Sequence, residues 1–345
     1  MVAKEPCWDI ALKIRIGLIG LGNNWNNRHQ PALRALSDRF EIRVVCDPVA
    51  HRAEQVAKAF NARTSASFRE VALASDVDAI LLLSARWFGS LPVVAACEAG
   101  KAVYCAASLD LNSDEADQLR KMVREAGIAF MAEFPFRLAP ATLRLQELMA
   151  TRLGRPQMLF CNQRHTAATK IDATSPHAVN MRQTIEMVDW CRYLVGCEPT
   201  SVIGTAHAQP SDIQTEDYLL LMLDFPPTGE QLCGAQAQIA CGSYVKPAWS
   251  EATAFRRPAD LQVVCERGVA FVDLPASLVW FDSAGQHTES LDSERPVGEQ
   301  LLMMFHRQVE SLVLKTASLE DAYRAMSIVI AAQQSHLEGR RMPCG

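Results

Sequence analysis

Residues 14 to 48, IRIGLIGLGNNWNNRHQPALRALSDRFEIRVVCDP, constrain the fold more than any other stretch. Ile14, Ile16, Leu18 and Ile19 form a short apolar run, as expected of a strand buried on both faces. Gly20 and Gly22 follow, then a turn filled by Asn23, Asn24 and Trp25. The spacing of Leu33, Leu36 and Phe40 predicts a helix over Pro31 to Phe40. A second apolar run, Ile42 to Cys46, ends in Asp47. Strand, glycine turn, helix, strand and acid make the βαβ unit that holds a dinucleotide. A glycine at the strand end permits the sharp turn, and a second lets the backbone approach a pyrophosphate. The helix start then points free N–H groups at that anion. Asp47 is placed to accept a ribose 2′-OH and would repel a 2′-phosphate, which favours NAD and leaves NADP as the alternative. The third glycine of the G-x-G-x-x-G pattern falls on Trp25, or on Asn26 if the turn holds one residue more.

A chain of 345 residues predicts two domains at roughly 150 residues each. Hydrophobic content of 49% and charged content of 21% describe a globular protein with a large core. The net charge of −5, without a Lys/Arg cluster, argues against nucleic acid or an anionic membrane as partner. Eleven scattered cysteines without a C-x-x-C pair predict no metal site, and Cys46, Cys97, Cys191 and Cys265 read as small buried hydrophobes. The first residues lack a long apolar segment, and no apolar run reaches the roughly 20 residues that span a bilayer. A cytoplasmic protein with reduced thiols is expected.

Further strands are predicted at Ala79 to Leu83, Ala102 to Cys105 and Ile128 to Glu133, with helices between them, so the sheet is parallel and doubly wound. Ser113 is the expected cap of the helix from Asp114 to Ala126. The loop Ser84, Ala85, Arg86, Trp87, Phe88, Gly89 follows a parallel strand at its carboxyl end, where open α/β sheets bind ligands. Ser84, Arg86 and Trp87 join Gly20, Gly22, Asn23, Asn24, Trp25 and Asp47 as candidate cofactor contacts; the bland alternative is a solvated Arg86 and a packed Trp87.

The order GLIGLG, VVCDP, DVDAILLLS, CEAGKAVYC and FPFRLAP resembles the glucose–fructose oxidoreductase / inositol dehydrogenase / MocA (Gfo/Idh/MocA) family over about the whole chain. The resemblance implies a Rossmann domain, residues 1–136, followed by an α/β domain, residues 137–345, with a large, mostly antiparallel sheet; the last helix can pack back on the first domain. It further implies NAD(P)-dependent hydride transfer on sugars or polyols, and dimers or tetramers formed through the second sheet. The chemistry departs from the family. Where the family carries a lysine this chain has Ala107, and Gly89 stands at a His position. In the family's D-x-G-x-H-x-x-D helix, the first Asp is Arg182 and the His is Glu186, while Asp189 and the ending Arg192, Tyr193, Leu194, Val195, Gly196 match.

A His is a good proton acceptor because its pKa lies near neutral. Glu186 serves that role only if its proton affinity is raised, and Arg182 one turn earlier works against it; a simple Arg–Glu ion pair is the plainer reading. The segment Gln163 to Asn180 reads as a long polar loop carrying His165, Lys170, Asp172 and His177. Candidate catalytic groups are Glu186, His165, His177 and Lys170, and candidate substrate contacts are Arg137, Arg182 and Asp189. Residues 201 to 283 are strand-rich, 284 to 297 show no element, and helices are predicted at Gly298 to Leu314 and Ser318 to Glu338. Two readings stand: an oxidoreductase with a rearranged catalytic set, or a catalytically silent dinucleotide- or ligand-binding member of the same fold. A lyase or glycosidase on this fold has no distinct support.

Overall fold

The computed structural model describes residues 13–106, 111–166, 176–207, 218–227, 233–245, 247–292, 294–311 and 317–344. The chain forms two compact units: Met1–Leu109 with Gln118–Glu133 and Gly298–Thr316, and Asp110–Asp117 with Phe134–Val297 and Ala317–Gly345.

In the first unit, β1 (Ile14–Ile19), β2 (Phe40–Cys46), β3 (Arg63–Thr64), β4 (Ala79–Leu82), β5 (Ala102–Cys105) and β6 (Phe130–Ala132) form one parallel sheet, in the order β3-β2-β1-β4-β5-β6. Every residue of β4 and β5 is buried, which is why these strands read as unbroken apolar runs. The strand order reverses between β1 and β4. That switch point opens a crevice at the carboxyl ends of the strands, where Gly20 and Ser84 emerge. The connecting helices are α1 (Gln30–Ala35), α2 (Ala50–Phe60), α3 (Phe68–Leu73), α4 (Leu91–Glu98) and α5 (Ser113–Ala126). Two expectations change. The helix expected to run to Phe40 stops at Ala35, and Phe40 opens β2, where its ring packs on His306. The cap of α5 is Asn112, not Ser113: its Oδ1 accepts from the Glu115 N–H and the Glu115 carboxylate accepts from the Asn112 N–H, each at 3.0 Å.

The second unit contains α6 (Pro140–Leu148), β7 (Pro156–Thr166), α7 (Pro176–Val195), β8 (Ser201–His207), β9 (Tyr218–Asp224), β10 (Gln236–Val245), β11 (Leu261–Cys265), β12 (Gly268–Asp273), β13 (Ser277–Asp282) and β14 (Gly285–Ser290). After α8 (Val297–Glu310), most of which falls in the first unit, come α9 (Ala317–Glu338) and β15 (Met342–Pro343). Gly298–Thr316 thus belongs to the first unit and Ala317–Gly345 to the second. Nine strands lie in the order β14-β13-β12-β11-β7-β10-β9-β8-β15, antiparallel except for the β7–β10 pair. One face is closed by the helices: Met187, Val188 and Cys191 of α7 and Val329 of α9 pack with Leu221, Ile239 and Val263. Alternate residues Met158, Ile203, Met222 and Phe281 are exposed on the other face. The polar loop expected from Gln163 is shorter than the sequence suggested, because the β7 ladder continues to Thr166 opposite β10 and α7 begins at Pro176. Residues 285–290, read as shapeless, pair with β13 as an edge strand.

Burial raises the thiols of Cys46, Cys97, Cys265 and Cys344 to about 11 and that of Cys241 to about 12, whereas Cys233 is exposed. Titration of the native protein with an aromatic disulfide reagent is expected to show a fast equivalent that Cys233→Ser removes; an unchanged fast phase would contradict this placement.

Candidate active site

The glycine turn is built by the two ends of the sheet's central strands. The Gly20 N–H donates to the Cys46 carbonyl at 2.8 Å, and the Leu83 N–H to the Ile19 carbonyl at 3.0 Å. Gly20 and Gly22 both have φ of +63°, a left-handed conformation. A Cβ on Gly20 would meet the Ser84 carbonyl oxygen at 2.5 Å, and one on Gly22 the Leu83 carbonyl oxygen at 2.5 Å. Asp47 closes the turn: its carboxylate accepts the Leu21 N–H and the Val49 N–H, each at 2.9 Å. Arg52 of α2 reaches the Gly22 carbonyl with Nη2 at 3.3 Å. This cradle, with two side-chain-free positions in the required backbone state and an acid at the end of β2, fits a dinucleotide.

Trp25 does not occupy the turn as a side chain. Residues Trp25–His29 form a π-helical turn ahead of α1, with the Arg28 and His29 N–H groups donating to the Asn24 carbonyl at 2.9 and 3.2 Å. The extra residue of a π-turn rotates Trp25 inward. Its ring is 4% exposed and lies edge-on to Phe60 at 6.1 Å. Trp25 thus leaves only its backbone at the turn, while Asn23 and Asn26 are exposed. In the next loop Trp87 is 66% exposed and the Arg86 guanidinium stacks on it at 5.3 Å, while Ser84 is half-buried beside Gly20.

One buried carboxylate in this unit was invisible to sequence reasoning. Glu133, directly after β6, accepts the Tyr104 hydroxyl at 2.7 Å, meets His29 Nε2 at 2.8 Å and pairs with Arg28. The four residues are scattered along the chain and only the fold collects them, so no local signal could have found them.

The second unit carries a different set of charges. Arg137 binds Asp189 through two bonds, the Nε contact at 2.6 Å, and reaches Asp321 at 2.8 Å. Arg192 contacts Asp189 at 3.2 Å and Glu198 at 2.6 and 2.7 Å. Burial pushes the Asp189 carboxyl up to about 6 against the pull of the two guanidiniums. Hydrogen bonding to Arg192 holds Glu198 below the usual carboxylate range. Asp189 and Arg137, the expected substrate contacts, take part in a partly buried ion network that links α7 to α9. Arg182 donates from Nε to Glu186 at 2.8 Å, the ion pair anticipated for these neighbours. Glu186 lies on the side of α7 that faces β10, where its charge is felt by the Cys241 thiol and Cys241 bonds Gln183. His165 falls in β7 and His177 in the first turn of α7, but their side chains lie outside the described residues, as do Ala107, Lys170 and Asp172 entirely. Among the described residues no group of His, Cys, Asp and Glu could hold a metal ion.

Residues 14–134 match the GFO_IDH_MocA model, an oxidoreductase family with an NAD-binding Rossmann fold. The first domain therefore matches that family's NAD-binding Rossmann model, as its motifs indicate. The chain is 25% identical over 197 residues to inositol 2-dehydrogenase of Rhizobium meliloti (strain 1021), covering 56% of this chain and 59% of that protein. It is 30% identical over 199 residues to inositol 2-dehydrogenase 3 of Saccharopolyspora erythraea, covering 55% and 56%. These alignments span a little over half the length of the curated relatives. The aldose-aldose oxidoreductase of Caulobacter crescentus has the same fold, with a TM-score of 0.80 at 15% identity over 96% of this chain and 100% of that one. None of the described helices is long and apolar enough to cross a membrane.

Proposed function

We propose that this chain is an NAD(P)-dependent oxidoreductase acting on a CH–OH group of a sugar- or polyol-like substrate, with NAD the preferred cofactor. The observation that carries this reading is the glycine turn, locked at positive φ between β1, the β4 loop and Asp47. Gly20, Gly22 and the N–H groups of Trp25 and Asn26 would hold the pyrophosphate, and the Arg86–Trp87 pair would flank the nucleoside. A bound nicotinamide supplies the hydride acceptor. The chain must supply the acceptor of the hydroxyl proton, and Glu186, His165, His177 and Lys170 are the candidates. Relatives named as inositol dehydrogenases support the polyol class.

A second reading, a silent dinucleotide- or ligand-binding protein, is favoured by the Arg182–Glu186 ion pair, which engages the carboxylate standing at the family's His position. Mixing the protein with NAD and a panel of cyclitols and aldoses, and following reduced nicotinamide, separates the two. Turnover lost at least about 100-fold in Glu186→Gln assigns the proton acceptor. Cofactor binding without turnover of any member of the panel supports the silent reading.

The exposed apolar face of the nine-stranded sheet is part of this proposal, as the surface through which two copies associate. A particle of twice the 38.1 kDa chain mass is expected in sedimentation, and Met222→Lys should return it to one chain. A single-chain mass for the unaltered protein would contradict the assignment. A cytoplasmic setting, in which the thiols stay reduced, completes the reading.

A further inference from the structure

We propose that Glu133 is a positioning residue for the dinucleotide cradle: through Arg28 and His29 it fixes the helix entrance that receives the pyrophosphate. The inference rests on the dinucleotide reading above and deepens it. In the G-x-G-x-x-G pattern, the third glycine lets the helix pack closely on its strand. This chain has no glycine there and lengthens the entrance by a π-turn, so close packing at that point cannot fix the helix start. Something else must, and the structure supplies it from two sides.

On one side stands Glu133. Its side chain is 0% exposed, and its backbone N–H donates to the Cys105 carbonyl at 2.9 Å, which fixes it to the end of the β5–β6 pair. One carboxylate oxygen takes the Tyr104 hydroxyl at 2.7 Å and His29 Nε2 at 2.8 Å, and the other takes Arg28. Arg28 and His29 are the closing residues of the π-turn, and their N–H groups return to the Asn24 carbonyl. Pulling on these two side chains therefore sets the path from Gly22 to α1. His29 meets Glu133 through Nε2, and its Nδ1 has no hydrogen-bond partner among the described residues; the ring also lies edge-on to Tyr104 at 6.4 Å. On the other side, Gly298 at the start of α8 lies so close that a Cβ would meet the Arg28 carbonyl oxygen at 2.8 Å. The turn is clamped between a buried carboxylate and a helix backbone. A buried carboxylate that gathers Arg28, His29 and Tyr104 is an anchor that fails as a whole when its charge is removed.

The test uses the full chain and three ligands that share an adenosine: NADH by direct binding, and ADP and adenosine by competition. In Glu133→Gln the affinities for NADH and ADP are expected to fall about tenfold or more, while adenosine stays within about twofold, because only the pyrophosphate end loses its support. Tyr104→Phe, which keeps the carboxylate and removes one bond, should fold normally and weaken ADP by about threefold, with adenosine unchanged. Equal losses for adenosine and ADP would make Glu133 a general stabiliser and overturn the proposal. Unchanged or tighter ADP binding, as from a freed Arg28 gripping the pyrophosphate itself, would also overturn it. Failure of the unaltered protein to bind NADH would instead strike the dinucleotide reading.

Discussion

Gly20→Ala is expected to abolish measurable dinucleotide binding. Gly20 holds φ of +63°, and the new Cβ would stand 2.5 Å from the Ser84 carbonyl oxygen. That neighbour is backbone at the carboxyl end of β4 and cannot swing aside like a flexible side chain. The turn must open, which moves the Leu21 N–H off Asp47 and spoils the approach to the pyrophosphate together. An affinity loss of at least about 100-fold is expected, with about 2–3 kcal/mol of stability from the left-handed strain and the clash. Gly100→Ala is the control. Gly100 has φ of +64° but nothing within 4 Å of a Cβ, so the change should cost about 1 kcal/mol and leave cofactor affinity untouched. Equal affinities in the two variants would show that the Gly20 turn holds no dinucleotide.

The second large effect is in the ion network of the other unit. Asp189→Ala removes a carboxylate that is 1% exposed and leaves the 4% exposed Arg192 and the partly buried Arg137 sharing Asp321 and Glu198. Removing one partner of a buried pair is far worse than never having built it, and a loss of about 3–5 kcal/mol is expected at pH 8, above the carboxyl's own titration. Urea unfolding measures this as a lower midpoint at an unchanged slope. Lys121→Ala, at a pair 3.8 Å apart and mostly in solvent, should change stability by less than about 0.5 kcal/mol. An Asp189→Ala protein as stable as the Lys121→Ala protein would mean that the network does not anchor α7.

Most of the first sheet could be read from the chain because β1, β4 and β5 are almost wholly buried and end in turns, whereas β3, two exposed residues, carries no such signal. Phe40 reads as helical because it stands four residues after Leu36, yet it opens β2, and both side chains are buried. The β14 edge strand carries no strand signal because Gln286, His287, Thr288 and Glu289 are all polar; His287 and Glu289 face Trp280 and Arg144 rather than an apolar core. The glycine turn and Asp47 were legible because they are contiguous. Trp25 was not, since one added residue turns a side chain from the cofactor cleft to Phe60, and sequence spacing does not report that rotation. Arg137 and Asp189 stood out through motif resemblance, but their mutual bond, 52 residues apart in sequence, belongs to the tertiary fold. Arg182 and Glu186 were readable as a pair because both lie on one helix, a single turn apart.

In the proposed function the lengthened, Asn-rich turn still accepts a dinucleotide. Titration of the unaltered protein with NADH, followed by nicotinamide fluorescence, tests it most directly. A dissociation constant below about 100 µM, roughly −5.5 kcal/mol, is the expected result. An absence of binding up to millimolar NADH would contradict the oxidoreductase account and leave a Rossmann domain whose cradle serves no dinucleotide.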